Sequence, residues 1–337
     1  MTTNKKILLI GPFPEPKGGV SIHLERLVKL LEKDYEISCI DESPIIKKNI
    51  FNIRSYNIFK YFKFIVNTNI IHIHTTIQVL RLFHVIVGFL FLKKVIITIH
   101  SLSVVRDKKD MLILKFTLLF AKKIIVVSEE IKQKIKINRA IVLPAFLPPI
   151  ILNEDNLPEE INLLIEKNKN NKIIVSNAYK LNIHKGQDLY GLDLILDVAK
   201  YAKKNKDKIK IIFIITTLEV NMDLYEKYIK IIDNEELDDY ISIFTYPISF
   251  VKLIQKSDIV IRATNTDGDA LTIREALFLN KSIIASDVVK RPEGTILFKN
   301  RDSVDLYYKI IGAINKNEFN ITHSNINYLN LYNKIYS

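Results

Sequence analysis

The chain has 337 residues and a mass of 39.1 kDa, more than one ordinary core holds and enough for two domains. Its 48% hydrophobic and 26% charged residues exclude a disordered or fibrous protein, and the single cysteine, Cys39, excludes a disulfide framework and a Cys-based zinc site, pointing to a reducing cytoplasm. The net charge of +12 is uneven: residues 1–150 hold 24 Lys and Arg against 11 Asp and Glu, and the remainder 25 against 26. The N-terminal half therefore calls for an anionic partner.

The opening MTTNKKILLIG has too short an apolar stretch for a signal peptide. KILLI (6–10) is predicted as a buried strand and VSIHLERLVKLLEK (20–33) as a helix, with Val20, Leu24, Leu27, Val28 and Leu31 on one face. Residues 51–67 mix aromatic and basic side chains as interfacial helices do. LFHVIVGFLFL (82–92) falls well short of the ~20 residues that cross a bilayer and is expected to be a buried helix. Further strands are predicted at 70–74, 94–100 and 123–127.

Three prolines in VLPAFLPP (142–149) interrupt the pattern and set a domain boundary after residue 148. The alternation restarts with strand 172–176, helix 192–205, and strands 210–216, 240–244 and 258–263. A helix near 270–279, strand 282–286 and helix 303–316 complete it. Strand and helix alternating in this way predict two doubly wound α/β domains with parallel sheets. Ligands in such sheets sit beyond the carboxyl ends of the strands.

Candidate residues follow those ends. Gly18 and Gly19 precede the first helix, where bare amides could face an anion or simply form a turn. The absence of G-x-G-x-x-G and of a Walker A Gly-Lys-Ser/Thr argues against dinucleotide and ATP binding. His100 ends the strand VIITIH and could meet a substrate hydroxyl or cap a turn. His72 and His74 share one strand face, and without a third ligand in view their reading is structural. Lys180 and Lys185, in YKLNIHKG, could reach a diphosphate or be ordinary surface lysines.

TDGDALTIREAL (266–277) carries Asp267, Asp269 and Glu275, and Asp-x-Asp is a known way to hold a divalent metal. Asp269 also suits the N-cap of a helix starting at Ala270, whose free amides could serve a phosphate. Eight residues separate Asp267 from Glu275, which fits two ends of one ligand better than one ion.

Together these stretches resemble a GT-B-fold retaining glycosyltransferase of the family 4 type, over nearly the whole chain. GPFPEPKGGVSIHLERLVKLL is similar to that family's glycine loop and helix, IITIH to its strand ending in the site histidine, and YKLNIHKG to its Arg-x4-Lys-Gly signature. DGDALTIREALFLNKSIIASD resembles its E-x7-E region, and NLYNKIY its closing helix. The resemblance implies two Rossmann-like domains facing each other across a cleft: an acceptor domain (1–148), a nucleotide-sugar domain (149–320), and a C-terminal helix (321–337) that returns to the first.

It further implies that Gly18 and Gly19 approach the donor diphosphate, that His100 lies beside the transferred sugar, and that Lys180 and Lys185 neutralise the leaving diphosphate. Asp267 would hold sugar hydroxyls, the amides of Gly268, Asp269, Ala270 and Leu271 would serve sugar and phosphate, and Glu275 the ribose. Asp267 and Lys180 stand where the family carries Glu and Arg, and Lys lacks the bidentate fork of Arg. No metal or other cofactor is implied. The expected reaction is metal-independent hexosyl transfer from a nucleoside-diphosphate donor, UDP-sugar favoured, to a glycan or polyprenyl-diphosphate-linked acceptor of a bacterial surface polysaccharide. The expected place is the cytoplasm, against the anionic inner face of the plasma membrane, with no nucleic-acid partner. The alternatives are a GT-B-fold nucleotide-sugar epimerase and a non-catalytic polyanion-binding protein.

Overall fold

A computed structural model of the chain describes residues 5–15, 18–217, 221–267, 270–315 and 327–337. It divides into two compact units, Met1–Leu147 with Asn325–Ser337, and Pro148–Ser324.

The first unit contains β1 (Lys6–Gly11), α1 (Gly19–Leu31), β2 (Glu36–Asp41), β3 (Phe51–Asn52), α2 (Ile58–Val66), β4 (Ile70–Ile73), α3 (Gln78–Leu90), β5 (Lys94–Ile99), α4 (Lys108–Leu119), β6 (Lys123–Val126), α5 (Glu129–Ile135) and β7 (Ile141–Val142). The second runs α6 (Glu159–Lys167), β8 (Lys172–Ala178), β9 (Ile183–His184), β10 (Gln187–Asp188), α7 (Leu192–Asn205), β11 (Ile209–Ile215), α8 (Met222–Asn234), β12 (Ile241–Phe244), α9 (Phe250–Lys256), β13 (Ile259–Arg262), α10 (Leu271–Phe278), β14 (Ser282–Ser286), β15 (Ile296–Phe298) and α11 (Ser303–Asn315). The last helix, α12 (Tyr328–Tyr336), belongs to the first unit.

The first sheet has the order β3-β2-β1-β4-β5-β6-β7 and the larger second-unit sheet β12-β11-β8-β13-β14-β15, all parallel among the described residues. Counted from its own first strand, each follows the doubly wound order 3-2-1-4-5-6. Strand alternation splits each core into two layers. Leu8 and Ile10 pack on one side with Val85 and Leu114, while Ile7 and Leu9 pack on the other with Leu24, Leu27 and Leu31 of α1. In the second unit, Ile211, Phe213 and Ile215 face α7 and α11, and Ile212 and Ile214 face α9 and α10.

Helix α12 closes the first unit's second layer through Tyr332, Ile335 and Tyr336. Three lysines hold its carbonyl end: Lys5 and Lys94 donate to Tyr336 O (3.2 and 3.1 Å), and Lys123 donates to Lys334 O (2.8 Å). Cations at a helix C-terminus satisfy its orphan carbonyls and complement its dipole.

Three local expectations are corrected. The apolar stretch 82–92 is not a buried helix: it is most of an amphipathic α3, and Phe89, Leu90 and Leu92 are 50%, 69% and 91% exposed. Its continuous hydrophobicity hid the fact that only one face has a partner. The 51–67 segment is a short strand, a 3-10 turn and α2, broken at Tyr56, whose φ of 54° ends the turn. Helix α10 starts at Leu271 with Ala270 as N-cap, not with Asp269 in that place.

Candidate functional site

In a doubly wound sheet the crevice lies where the strand order reverses. Here that is between the carboxyl ends of β1 and β4 in the first unit, and of β8 and β13 in the second. Each place collects unusual side chains.

In the first unit, β1 ends at Gly11. A Cβ there would lie 2.8 Å from Leu24 Cδ1 and 3.1 Å from His74 Cβ, so only glycine lets α1 close over the sheet. The loop leads to Gly18, the N-cap of α1, whose N–H donates to Ser21 Oγ (2.8 Å) while that hydroxyl donates back to Gly18 O (3.0 Å). Neither Gly18 nor Gly19 has a left-handed backbone, and a Cβ on Gly19 would meet nothing within 4 Å. The first turn of α1 begins on glycine, and its orphan amides can receive an anion.

Beside this helix end stand four histidines. His72 is buried with both nitrogens paired, Nδ1 to Tyr336 Oη (2.7 Å) and Nε2 to Thr98 Oγ1 (2.8 Å); it ties α12 to the sheet. His74, two residues on, bonds through Nδ1 to His100 Nε2 at 3.0 Å, and its own buried Nε2 has no partner among the described residues. His23 from α1 donates Nδ1–H to Ala145 O (2.5 Å), which leaves its Nε2 as the lone-pair nitrogen. His23, His74 and His100 each place one nitrogen within 4.8 Å of the others, a spacing that can hold a metal ion. The structural reading of His74 assumed no third ligand nearby. His23, on the buried face of α1, is the one that reading missed.

Burial keeps this cluster neutral. It lowers His23 to about 4, against its bond to Ala145 O, and His72 to about 3, and pushes His74 and His100 well below the ordinary histidine value; neighbouring imidazoles add to the effect at His72, His74 and His100. A neutral His100, half-buried at the end of β5, offers a hydrogen bond rather than a positive charge. A buried cation acting on His100 is Arg81, whose Nε and Nη2 donate to Thr75 O (3.1 and 2.7 Å) and whose Nη1 has no partner among the described residues.

Asp41, at the end of β2, occupies the place where dinucleotide-binding folds carry their ribose acid. Its carboxylate instead accepts from Phe13 N, Ser43 N, Ser43 Oγ, Lys47 Nζ and Asn52 Nδ2 at 2.6 to 3.3 Å. Although burial pushes the other way, Lys47 and these donors hold it below the usual carboxylate range, and they leave no room for a ribose.

In the second unit, β8 runs into Lys180 and then into the β9–β10 hairpin. Lys185 and Gly186 form its two-residue turn, both at positive φ (51° and 76°), the geometry that suits a tight hairpin. Lys185 is thus presented at an exposed tip. Neither lysine has a hydrogen bond or ion pair among the described residues. Gly191 (φ 73°) lets the next turn approach β13, since a Cβ there would lie 2.4 Å from Ala263 O.

The exit of β13 is built around Asp267. Arg262 donates to both its oxygens (3.0 and 3.2 Å), Arg291 Nη1 donates at 2.9 Å and Thr264 Oγ1 at 3.0 Å. Burial alone would raise this carboxyl, but the two guanidiniums hold it below its ordinary value. Asp267 therefore meets partners that the sequence reading did not include. Arg262 was detectable as a charge closing the buried strand DIVIRA; Arg291, 24 residues beyond Asp267, carried no such signal. Helix α10 starts four residues after Asp267 and presents Ala270 and Leu271 with no side-chain cap among the described residues, and Glu275 lies buried within the helix at 5% exposure. Gly268 and Asp269 lie outside the described residues.

No protein-family model and no curated protein matches the chain. Solved structures do. The Anabaena protein Alr3699/HepE, crystallised with UDP and glucose, superposes with a TM-score of 0.67 at 14% identity, covering 93% of this chain and 90% of that one. A glycosyltransferase from Rickettsia africae superposes at 0.64 with 18% identity (93% and 88% covered), and TarM at 0.60 with 12% (93% and 92%). The chain has the GT-B fold, with its two parallel-sheet Rossmann-like domains.

Proposed function

We propose that the protein is a glycosyltransferase that takes its sugar from a nucleoside diphosphate, UDP favoured, and transfers it with retention of configuration and without a metal. The observation that carries this reading is the second unit's switch point. There, two lysines without a hydrogen bond or ion pair among the described residues follow β8, and the N-terminus of α10, with no side-chain cap among those residues, follows the arginine-bound Asp267 beyond β13. Cations and helix amides set in place before the reaction stabilise a departing diphosphate without reorganising. The relatives of this fold crystallised with UDP or UDP-glucose support the donor class.

In the step proposed, the bond from the anomeric carbon to the diphosphate oxygen breaks as the acceptor oxygen bonds on the same face. The acceptor's proton passes to the leaving phosphate. Lys180 and Lys185 neutralise that phosphate, with the amides of Ala270 and Leu271, and the amides of Gly18 and Gly19 in the first unit are assigned to an anionic group of a substrate. Neutral His100, steadied by His74, hydrogen-bonds a sugar hydroxyl. Asp267 fixes Arg262 and Arg291 at the sugar end, a role changed from holding the sugar alone, and Glu275 takes the ribose. A glycan or lipid-linked diphosphate sugar is the acceptor class we assign to the basic first unit.

A thermal-shift panel of UDP-, GDP- and ADP-sugars, with and without EDTA, tests the reading on wild type, Lys185→Ala and Glu275→Ala. One nucleotide sugar should raise the melting temperature, EDTA should leave that rise intact, and both variants should reduce it. Lys185→Ala is the cleaner arm, because its exposed side chain has no hydrogen bond or ion pair among the described residues. Binding of no nucleotide sugar, or binding only with a divalent ion, overturns the proposal.

A further inference from the structure

The first unit leaves one helical layer uncovered. On α3, Val79, Phe83, Ile86 and Leu90 fall at helical spacing on one face and are 38–76% exposed. On α4, Leu112, Phe116 and Leu119 repeat the spacing at 49–70%. On α2, Ile58 and Phe59 are 64% and 92% exposed. Aromatic contacts join these stripes. Phe120 packs against both Phe89 and Phe116 (5.1 and 5.2 Å between centroids), and Phe62 against Phe91 (5.6 Å). With an aromatic side chain worth roughly 150–250 Å², the exposed apolar area is on the order of 1,000 Å², beyond the few hundred Å² usual for a monomer's largest patch.

Leu92 makes the point at a single residue. It is the first residue past the C-cap of α3, at φ 54° and 91% exposed. That position favours glycine or asparagine, and a leucine there carries backbone strain while gaining no burial. Folding gives no reason for it.

Charge selects the occupant. Residues 53–123 contain twelve Lys and Arg against Asp107 and Asp110 alone, a net of +10. Lys60 and Lys63 of α2, Lys108 and Lys109 of α4, and Lys122 after it are all exposed. A second copy docking face to face would set these exposed lysines against their own copies. Nucleic acid would satisfy the lysines and leave the phenylalanines and leucines in water. A bilayer with anionic headgroups takes both, the apolar side chains entering the acyl boundary and the lysines meeting the headgroups. No helix among the described residues is long and apolar enough to cross a membrane, so the contact is with a surface.

We infer that the α2–α3–α4 face of the first unit is a docking surface for an anionic lipid bilayer, with Phe59 and Leu92 as inserted anchors. This holds independently of the reaction proposed above. Flotation of the full chain with phosphatidylglycerol/phosphatidylcholine vesicles, and with phosphatidylcholine alone, tests it on wild type, Phe59→Ser and Leu92→Asn. Wild type should float with the anionic vesicles and not the neutral ones. Leu92→Asn should melt no lower than wild type, because asparagine suits the left-handed position, yet bind at least about tenfold more weakly. Phe59→Ser should act likewise. Three results overturn the inference: no vesicle binding; vesicle binding unchanged in both variants; or a wild-type dimer that Leu92→Asn dissociates. Flotation abolished by a short RNA competitor while both variants bind as wild type does would reassign the surface to nucleic acid.

Discussion

The two units use the same strand order and the same crevice position, and fill it with opposite chemistry. The first unit's switch point holds imidazoles that burial keeps uncharged, with one guanidinium nitrogen that has no partner among the described residues. The second holds formal charges, with a carboxylate clamped between Arg262 and Arg291 and two lysines that have no hydrogen bond or ion pair among the described residues. The lesson is that a topology fixes where a ligand sits, while the side chains at the strand ends decide what it meets. Neutral groups suit sugar hydroxyls, and cations suit a diphosphate.

That contrast breaks most visibly at Asp267. Asp267→Asn leaves Arg291, which is 2% exposed, and Arg262 facing each other without their counter-charge. Losing one partner of a buried pair costs about 3 kcal/mol or more, so unit 2 should melt earlier and nucleotide-sugar binding should fall with it. If Asp267→Asn melts like wild type, the cluster is not the anchor described here.

The units should also part company in acid. A histidine whose folded pKa lies below its unfolded value of about 6.5 takes up its proton more readily when unfolded. Stability is therefore full above pH 6.5 and falls as pH drops toward the folded values, about 4 for His23 and about 3 for His72. At pH 5 each should cost roughly 2 kcal/mol. Asp267, held low by the arginines, keeps its contribution until pH falls through the carboxylate range. Melting followed by amide exchange at pH 7.5 and pH 5 should show the first unit opening while the second stays closed; simultaneous opening would remove the distinction.

The smallest effect concerns the histidine pair. His74→Gln keeps an amide near His100 but removes the ring nitrogen bonded to it. Transfer rate should drop about tenfold or more with little change in donor affinity, and the variant should tolerate pH 5 somewhat better. If EDTA were to abolish activity instead, the three-nitrogen cluster of His23, His74 and His100 would be the first place to look for an ion.

Much of the fold was readable because its signals are local. Runs such as KILLI and KIIFIIT are strands buried on both faces, and the spacing of Leu24, Leu27, Val28 and Leu31 can serve only a helix with one buried face. What failed was also local in origin. Short elements such as β3, β7 and the β9–β10 hairpin carry too few residues for a period, and the EISCID of β2, next to the two-residue edge strand β3, mixes polar and apolar side chains on a half-buried strand. The uninterrupted apolar run of α3 looked buried because hydrophobicity tells which residues avoid water, not whether the fold supplies a neighbour.

The sequence by itself determined two parallel α/β sheets and the strand ends at which Gly18, His100, Lys180 and Asp267 would stand. Only the tertiary structure decided what each of them faces. His23 and His100 are 77 residues apart and meet because α1 lies over the ends of β4 and β5. Arg291 reaches Asp267 because the chain after β14 turns back over the exit of β13. Periodicity is a property of a dozen neighbouring residues, whereas a site is made by strands pairing across the chain. The protonation of its groups is set by how completely that pairing excludes water.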